Sequence, residues 1–104
     1  MGTLTIEFIQ QSTASGFYEI SLHADEERLD EGLTVDDLEE VVKSVELLED
    51  YPDDPRGHSC LVLGYIDRRP VHVVCGLTKQ DKLILITVYR PTMPKWKDER
   101  TRNK

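Results

Sequence analysis

The chain has 104 residues, of which 38% are hydrophobic and 7% aromatic, and this composition suits one domain with one mainly aliphatic core. No run of ~20 apolar residues is present, so no transmembrane helix is expected. The N-terminus also lacks the basic stretch and apolar run of a secretion signal. Two cysteines in a chain without such a signal predict a reduced, cytoplasmic protein. Residues 1–104 are predicted to form a single domain.

The net charge of −7 is unevenly distributed along the chain. Residues 1–55 carry 16 acidic and two basic residues, whereas residues 56–104 carry four acidic and eleven basic residues. One interpretation is that acidic residues simply keep the helices of the first half solvated. The other is that the basic second half meets an anion, for example the phosphates of RNA. The charge pattern leaves both interpretations open.

The first half of the chain predicts three helices. The first covers residues 4–14 and ends at Ser15-Gly16. Residues 17–31 begin extended and become helical at Ser21, whose hydroxyl can cap the first turn, and Gly32 ends this helix. In the third helix, Thr34 and Asp37 resemble a capping box. Its apolar face is formed by residues at spacings of three and four: Val35, Leu38, Val41, Val42 and Val45.

The second half predicts four strands joined by short connections, over residues 45–50, 59–66, 70–77 and 82–90. Short connections imply antiparallel neighbours. Residues 91–104 are predicted to form an irregular basic tail that Trp96 pins to the body of the protein. The predicted fold class is therefore α+β, with N-terminal helices packed on one face of a four-stranded antiparallel sheet.

Turn lengths predict which strand residues lie side by side. A two-residue turn at Gln80-Asp81 places His72 opposite Tyr89, and a two-residue turn at Arg68-Arg69 places Tyr65 opposite His72. The alternation of side chains then puts this row of three on the face away from the helices. The opposite, helix-facing side of the last two strands would be wholly apolar: Val71, Val73, Cys75, Leu77, Ile84, Ile86 and Val88.

The row of Tyr65, His72 and Tyr89 is the best candidate for chemistry. Histidine exchanges protons near neutral pH, and tyrosine can donate a hydrogen bond or stack on a base. With arginines nearby to hold phosphate, such a face could cleave RNA without a metal ion, using the 2′-hydroxyl of the RNA as nucleophile. The alternative is an aromatic cluster that only stabilises the sheet.

Other candidate residues give weaker signals. His23, at the start of the second helix, could be a cap, a partner contact or a second acid or base. A zinc site from His58, Cys60, His72 and Cys75 is not expected. His72 and Cys75 are three residues apart on one predicted strand, so their side chains point to opposite faces. The two cysteines are expected to be diagonal core residues without a disulfide bond. The acidic helix faces could bind a basic partner or simply be solvated.

Several segments together resemble the bacterial family called domain of unknown function 4258. They are Glu49 to Asp54, Ser59 to Gly64, Arg69 to Val74, Ile86 to Pro91, and Trp96, with His23-Ala24 ahead of an acidic helix. The resemblance extends from about Tyr18 to Arg102. The positions that match the family pattern are His23, Ser59, Arg69, His72, Thr87 and Tyr89.

The family is similar to toxins of the RelE-like superfamily, which are small ribonucleases often encoded beside an antitoxin. The resemblance therefore implies a RelE-like fold and a metal-independent endoribonuclease of a toxin–antitoxin system, with RNA and a small antitoxin protein as partners. No cofactor, metal ion or membrane is expected. His72, Tyr89 and His23 would be the catalytic residues. The substrate-binding residues would be Arg56, Arg69, Arg90, Tyr65 and Thr87.

Two features favour a different function, a non-catalytic protein-interaction module. The chain is acidic overall, whereas ribosome-associated toxins are usually basic. Glu27 and Glu31 also stand where relatives often carry basic residues in the second helix. A third hypothesis, binding of a small molecule, is favoured only by the tyrosines. The sequence does not define the partner, the RNA sequence cleaved or the oligomeric state.

Overall fold

A computed structural model describes residues 4–92 and 95–102 and shows a mixed α+β fold. One five-stranded sheet has the strand order β1-β5-β4-β3-β2, with β1 parallel to β5 and the other neighbours antiparallel. In chain order, the elements are α1 (Ile6–Ser15), β1 (Tyr18–Ile20), α2 (Leu22–Asp30), α3 (Val35–Val42), β2 (Glu46–Tyr51), β3 (Ser59–Ile66), β4 (Arg69–Leu77) and β5 (Leu83–Tyr89).

The three predicted helices are confirmed, and local side chains define their ends. The Ser21 hydroxyl accepts a hydrogen bond from the Ala24 amide at 2.9 Å, which satisfies one of the free N–H groups of the first turn. Thr34 and Asp37 form a reciprocal capping box at the start of α3. Gly16 ends α1 in a left-handed conformation with φ of 77°. In the described part of the chain, no helix is long and apolar enough to cross a membrane.

The prediction of a four-stranded, wholly antiparallel sheet is wrong. The extended residues before Ser21 form a fifth strand, β1, which pairs in parallel with β5 from Tyr18 opposite Leu83 to Ile20 opposite Leu85. This strand has only three residues, too few to show an alternating apolar pattern. Its partner lies more than 60 positions away in the sequence, so no turn signals the pairing.

The hairpin of β3 and β4 turns one residue earlier than predicted. Its two turn residues are Asp67 and Arg68, with φ of 51° and 66°, as a type I′ turn requires. Tyr65 therefore lies opposite Pro70, and Leu63 lies opposite His72. The predicted pairing of Tyr65 with His72 is wrong, although the two side chains share a face of the sheet.

The pairing of His72 with Tyr89 is confirmed, but the register nearer the next turn differs. The turn leaves Leu77 opposite Leu83 rather than Ile84. A β-bulge at Ile86 of β5, opposite the step from Val74 to Cys75, restores the predicted register toward His72. A bulge places one extra residue in one strand and reverses the alternation beyond it. The buried residues near the turn are therefore Leu83 and Leu85, and not the predicted Ile84 and Ile86.

The helices cover one face of the sheet and enclose the core. Its buried members come from both layers and include Ile9, Leu38, Val41, Val42, Val62, Val71, Val73, Leu83, Leu85 and Val88. Cys60 and Cys75 are free and buried in the same core. They lie directly opposite each other on β3 and β4, so their expected diagonal relation is wrong. This shift follows from the earlier turn at Asp67-Arg68.

A close approach of α3 to the sheet requires a glycine. A Cβ atom at Gly64 of β3 would lie 2.3 Å from the Val41 carbonyl oxygen and 2.6 Å from the Val41 Cγ1 atom. Neither separation is compatible with normal contact. The backbone of α3 can therefore pack on β3 at this point only while residue 64 has no side chain.

We expect Gly64→Ala to lower the free energy of unfolding by about 2–3 kcal/mol, because the new methyl group meets helix backbone that has no room to move. Gly76→Ala is the matched control. Its Cβ would meet Ile86 Cδ1 at 2.6 Å, but the end of a side chain can rotate away. Urea denaturation measures both variants, and equal destabilisation would contradict the proposed close packing of α3 on β3.

Candidate functional site

The sheet face away from the helices carries the predicted row of aromatic residues. We call it the second face, defined on the central strands by His72 and Val74 of β4 and Thr87 and Tyr89 of β5, which are paired across the two strands. The second face is not fully open. Residues 95–102, here called the covering segment, fold over the end of it that contains His72.

The covering segment is held by its own turn and by two ion pairs. Trp96 and Arg102 form an isolated antiparallel bridge. Arg100 pairs with Glu46 at 2.9 Å, and Arg102 pairs with Glu49 at 2.7 Å. Both acidic residues lie on the edge strand β2. The hydrogen bonds from the two arginines lower the pKa values of Glu46 and Glu49, because they stabilise the ionised carboxylates.

His72 is fully buried beneath this segment. Its Nε2 atom lies 2.7 Å from the backbone oxygen of Glu99, and its Nδ1 atom lies 3.1 Å from the Tyr89 hydroxyl. Because a carbonyl oxygen only accepts hydrogen bonds, Nε2 must carry the proton, and the Tyr89 hydroxyl donates to Nδ1. The Trp96 ring packs edge-on against the imidazole at 4.3 Å.

These contacts favour a neutral His72. Burial lowers the pKa of His72 below its ordinary value and raises the pKa of Tyr89, since both charged forms would lose hydration. The expectation that His72 stands on an open face is therefore wrong. It lies on the predicted face, beneath the covering segment and in contact with the Tyr89 hydroxyl.

Tyr65 lies apart from this pair. It is 38% exposed, and its hydroxyl donates to the side chain of Glu99 at 3.3 Å. Tyr65 therefore contacts the Glu99 side chain of the covering segment, whereas His72 contacts the Glu99 backbone. The structure does not bring Tyr65 into one row with His72 and Tyr89.

The start of α2 lies against the outer edge of β5. Ser21 continues the pairing begun by β1, since its backbone amide donates to the Leu85 oxygen at 2.9 Å and its hydroxyl donates to the Ile86 oxygen at 2.8 Å. The Glu27 Oε1 atom accepts a hydrogen bond from the Val88 amide at 2.9 Å. The edge of the sheet thus holds α2 in place.

His23 is positioned by this helix. Its Nε2 atom lies 3.3 Å from Glu27 Oε2, and its side chain is 66% exposed. Glu27 thus uses one oxygen for the sheet backbone and the other for the imidazole. A histidine held by a carboxylate on one side and open to solvent on the other can exchange protons with a bound molecule.

A cleft of about 390 Å³ lies between α2, the end of β5 and the covering segment. It brings together four of the predicted site residues, His23, Thr87, Tyr89 and Arg90. The full lining consists of His23, Glu27, Thr87, Tyr89, Arg90, Thr92, Lys95 and Trp96. This is the candidate functional site.

Two buried donors in the lining make no hydrogen bond within the described residues. They are the Arg90 Nε and the Trp96 Nε1 atoms. The nearest carboxylate to Arg90, that of Glu31, lies 3.5 Å from Nε. Lys95 adds a positive charge, with its Nζ atom 5.8 Å from the centre of the Tyr89 ring. The two donors and the positive charge of Lys95 suit a ligand rich in oxygen.

Two predicted phosphate-binding residues lie outside the cleft. Arg56 precedes the far end of β3, roughly 20 Å from Arg90 by the rise of a strand, and pairs with Asp54 through two hydrogen bonds of 3.2 Å. Arg69 begins β4 at the same end of the sheet as Arg90 but is exposed. The three arginines therefore do not form one phosphate site.

The sequence interpretation did not include Glu27, Lys95 or Trp96 as members of the site. A spacing of four residues on a helix is a signal for the His23–Glu27 contact. Trp96 was predicted to pin the tail, and this is confirmed, since it is 3% exposed. Residues 93–94 and 103–104 of the predicted tail lie outside the described residues.

Comparisons with known proteins give one finding. A family model described as "Domain of unknown function (DUF4258)" matches residues 20–90, which include α2 and the four longer strands. No curated protein and no solved structure matches the chain. The matched region contains every residue proposed from the sequence for catalysis or substrate binding, and it ends before the covering segment.

The burial of His72 predicts how stability depends on pH. Because the pKa of His72 is lower in the folded state, the unfolded chain binds a proton first as the pH falls. This residue therefore costs no stability above about pH 6.5 and destabilises the fold below it, by at most ~1.4 kcal/mol per pH unit. We expect His72→Gln to reduce the loss of stability between about pH 7.5 and 5.

Urea denaturation at several pH values measures this slope. His23→Gln is the matched control, because it removes an exposed imidazole and leaves the buried one in place. If His72→Gln and the wild-type protein lost stability in parallel, His72 would not be the buried neutral group that the contacts indicate.

Proposed function

The chain belongs to the DUF4258 family, and we propose that it is a metal-independent endoribonuclease that binds an RNA phosphodiester in the cleft between α2, β5 and the covering segment. The observation that carries this proposal is that two buried donors, Arg90 Nε and Trp96 Nε1, make no hydrogen bond within the described residues, beside the exposed imidazole of His23. Phosphate oxygens would supply the missing acceptors.

A buried donor without an acceptor costs about 1–3 kcal/mol. A phosphodiester could relieve this cost for Arg90 and Trp96, while Lys95 would balance its charge. Glu31 already lies near Arg90, so the arginine would be shared between the carboxylate and the phosphate. The acidic surroundings favour a well-placed single phosphate over binding along a long backbone.

The residues of the cleft fit cleavage by the RNA's own 2′-hydroxyl. His23 would accept the hydroxyl proton while the 2′-oxygen attacks phosphorus and the P–O5′ bond breaks. The leaving 5′-oxygen takes up a proton from water, and the products are a 2′,3′-cyclic phosphate and a 5′-hydroxyl. Tyr89 would position the ribose or phosphate through its hydroxyl oxygen, because its proton is donated to His72. Thr87 supplies a further hydroxyl group in the lining.

A toxin role is the wider part of the proposal. We propose further that the protein is a RelE-like toxin, whose RNA cleavage slows growth and which a small antitoxin protein restrains. We keep Arg69 as an outer contact for RNA, since it lies at the same end of the sheet as Arg90, and we leave Arg56 out of the cleft chemistry. Expression of the protein in a bacterial host, with and without the His23→Ala substitution, tests this wider role.

We expect the purified protein to cleave single-stranded RNA in the presence of a metal chelator. His23→Ala should lower the rate by on the order of 10²-fold or more, because it removes the proton acceptor. Lys95→Ala should raise KM and weaken its dependence on salt, because one cation leaves the phosphate site. Gel analysis of an end-labelled RNA measures both effects.

Lys43→Ala is the matched control for Lys95→Ala. It removes one lysine whose Nζ atom contacts Glu40 of α3, far from the cleft, and should leave cleavage unchanged. Intact RNA after incubation with the wild-type protein, both free and in the presence of ribosomes, would contradict the proposed activity.

The second candidate function is a protein-interaction module that binds a basic partner. Its supporting observation is the outer surface of α2, where Leu22 is 76% exposed and Leu29 is 62% exposed. The two leucines lie seven residues apart on one side of the helix, with Glu26 between them and Asp30 beside them. This pattern suits a partner helix with an apolar stripe flanked by lysine or arginine.

A pair of synthetic helical peptides tests this second function. Both carry the same leucine stripe, and one is flanked by lysines and the other by glutamates. We expect the basic peptide to bind at least ten times more tightly, and the double variant Leu22→Ser with Leu29→Ser to lose this binding. Fluorescence anisotropy measures it, and equal binding of the two peptides would rule out recognition by charge.

A further inference from the structure

The contacts of Glu27 have a consequence for the proton on His23. Glu27 Oε1 is occupied by the Val88 amide of β5 at 2.9 Å, and Oε2 lies 3.3 Å from His23 Nε2. An ionised carboxylate only accepts hydrogen bonds. An unprotonated Nε2 would keep its lone pair within 3.3 Å of the negative carboxylate oxygen, which is unfavourable, so the neutral ring gains by carrying its proton on Nε2.

We propose that Glu27 is a positioning residue that fixes His23 in the Nε2–H tautomer and so leaves Nδ1 as the free proton acceptor at the cleft. This inference rests on the proposed function for its role in cleavage. The tautomer itself depends only on the geometry of α2 and β5. Glu27 would act through His23 and not on the RNA.

Two features distinguish Glu27 from an ordinary surface acid next to a histidine. Its first oxygen is held by a backbone amide of the sheet, so the second oxygen has a defined direction. The Val88 amide lies in the part of β5 that extends beyond its pairing with β1. There, α2 supplies the hydrogen-bond partners that a longer edge strand would otherwise supply. The carboxylate is thus part of the sheet edge and part of the cleft lining.

The variant Glu27→Gln makes a specific prediction. A glutamine has one carbonyl oxygen and one NH2 group, and the Val88 amide needs the oxygen. The NH2 group must then face His23 Nε2 and donate to it. The imidazole can accept there only if its proton moves to Nδ1, so the substitution should reverse the tautomer while preserving the bond to the sheet.

NMR of protein with 15N-labelled histidine rings reports this reversal directly. At a pH of about 8.5, roughly two units above the ordinary histidine pKa, we expect Nε2–H to predominate for His23 in the wild-type protein. In Glu27→Gln, Nδ1–H should become the larger population. Glu26→Gln is the matched control, because it removes the same charge from the neighbouring exposed position and should keep the wild-type tautomer.

The Val88 amide shows whether the variant has kept its structure. Its chemical shift should remain that of a hydrogen-bonded amide in Glu27→Gln. An unchanged His23 tautomer in a variant with this bond intact would overturn the inference. Loss of the Val88 hydrogen bond in Glu27→Gln would also overturn it, because the glutamine oxygen would then have turned to another group.

Kinetics connect the tautomer to the reaction. With the proton on Nδ1, the ring would offer no acceptor at the cleft, so Glu27→Gln should lower kcat by about 100-fold with little change in KM, while Glu26→Gln should lower neither. If the wild-type protein does not cleave RNA, the proposed function fails, and the tautomer measurement alone decides the inference about Glu27.

Discussion

The outer edge of β5 is the constraint on which the candidate site depends. Backbone N–H and C=O groups that leave water must find partners, and β1 supplies them only from Leu83 to Leu85. Beyond that point the partners come from Ser21 and from Glu27. Because β1 is short, α2, which follows it directly, must supply polar groups to the edge of β5. This requirement fixes α2, and with α2 the position of His23, relative to the sheet.

The two faces of the sheet are covered by different interactions. The helices bury aliphatic side chains on one face, and the stabilisation there comes from the removal of apolar surface from water. On the second face, the covering segment is held by arginine–carboxylate pairs and by edge-on aromatic contacts around His72. Because these ion pairs are partly exposed, salt weakens them more than it weakens the core. The covering segment should thus be the part of the fold that is most sensitive to ionic strength.

The features that could be predicted from the sequence are those that depend on residues close together along the chain. The Ser21 cap, the Thr34 capping box and the glycine at the end of α1 were predicted because each depends on residues within one turn. The parallel partner of β1 and the bulge in β5 were not predicted, since both depend on residues distant in the sequence. One residue of difference at the Asp67-Arg68 turn was enough to move Tyr65 away from His72.

The candidate site shows the same contrast between local features, which could be predicted, and contacts between distant residues, which could not. Alternation along β4 and β5 correctly placed His72 and Tyr89 on one face, but it could not show that a segment from the tail covers His72. Only packing in three dimensions shows that His23, 49 positions away from His72 in the sequence, lines the cleft and that His72 does not. Both histidines were expected to be catalytic, and in the proposal only His23 keeps that role, at the cleft, while His72 lies behind Tyr89.

The uneven charge of the two halves of the chain also has a structural explanation. Acidic residues of β2 in the first half pair with Arg100 and Arg102 of the second half, and Glu31 lies beside Arg90. Part of the asymmetry is thus internal complementarity between the two halves of the chain. Few cations are left to face a ligand, and those at the cleft end of the sheet include Lys95 and Arg69. A site with so few free positive charges can hold one phosphate in a defined place, and for that reason precise positioning by residues such as Glu27 matters more to this protein than long-range attraction.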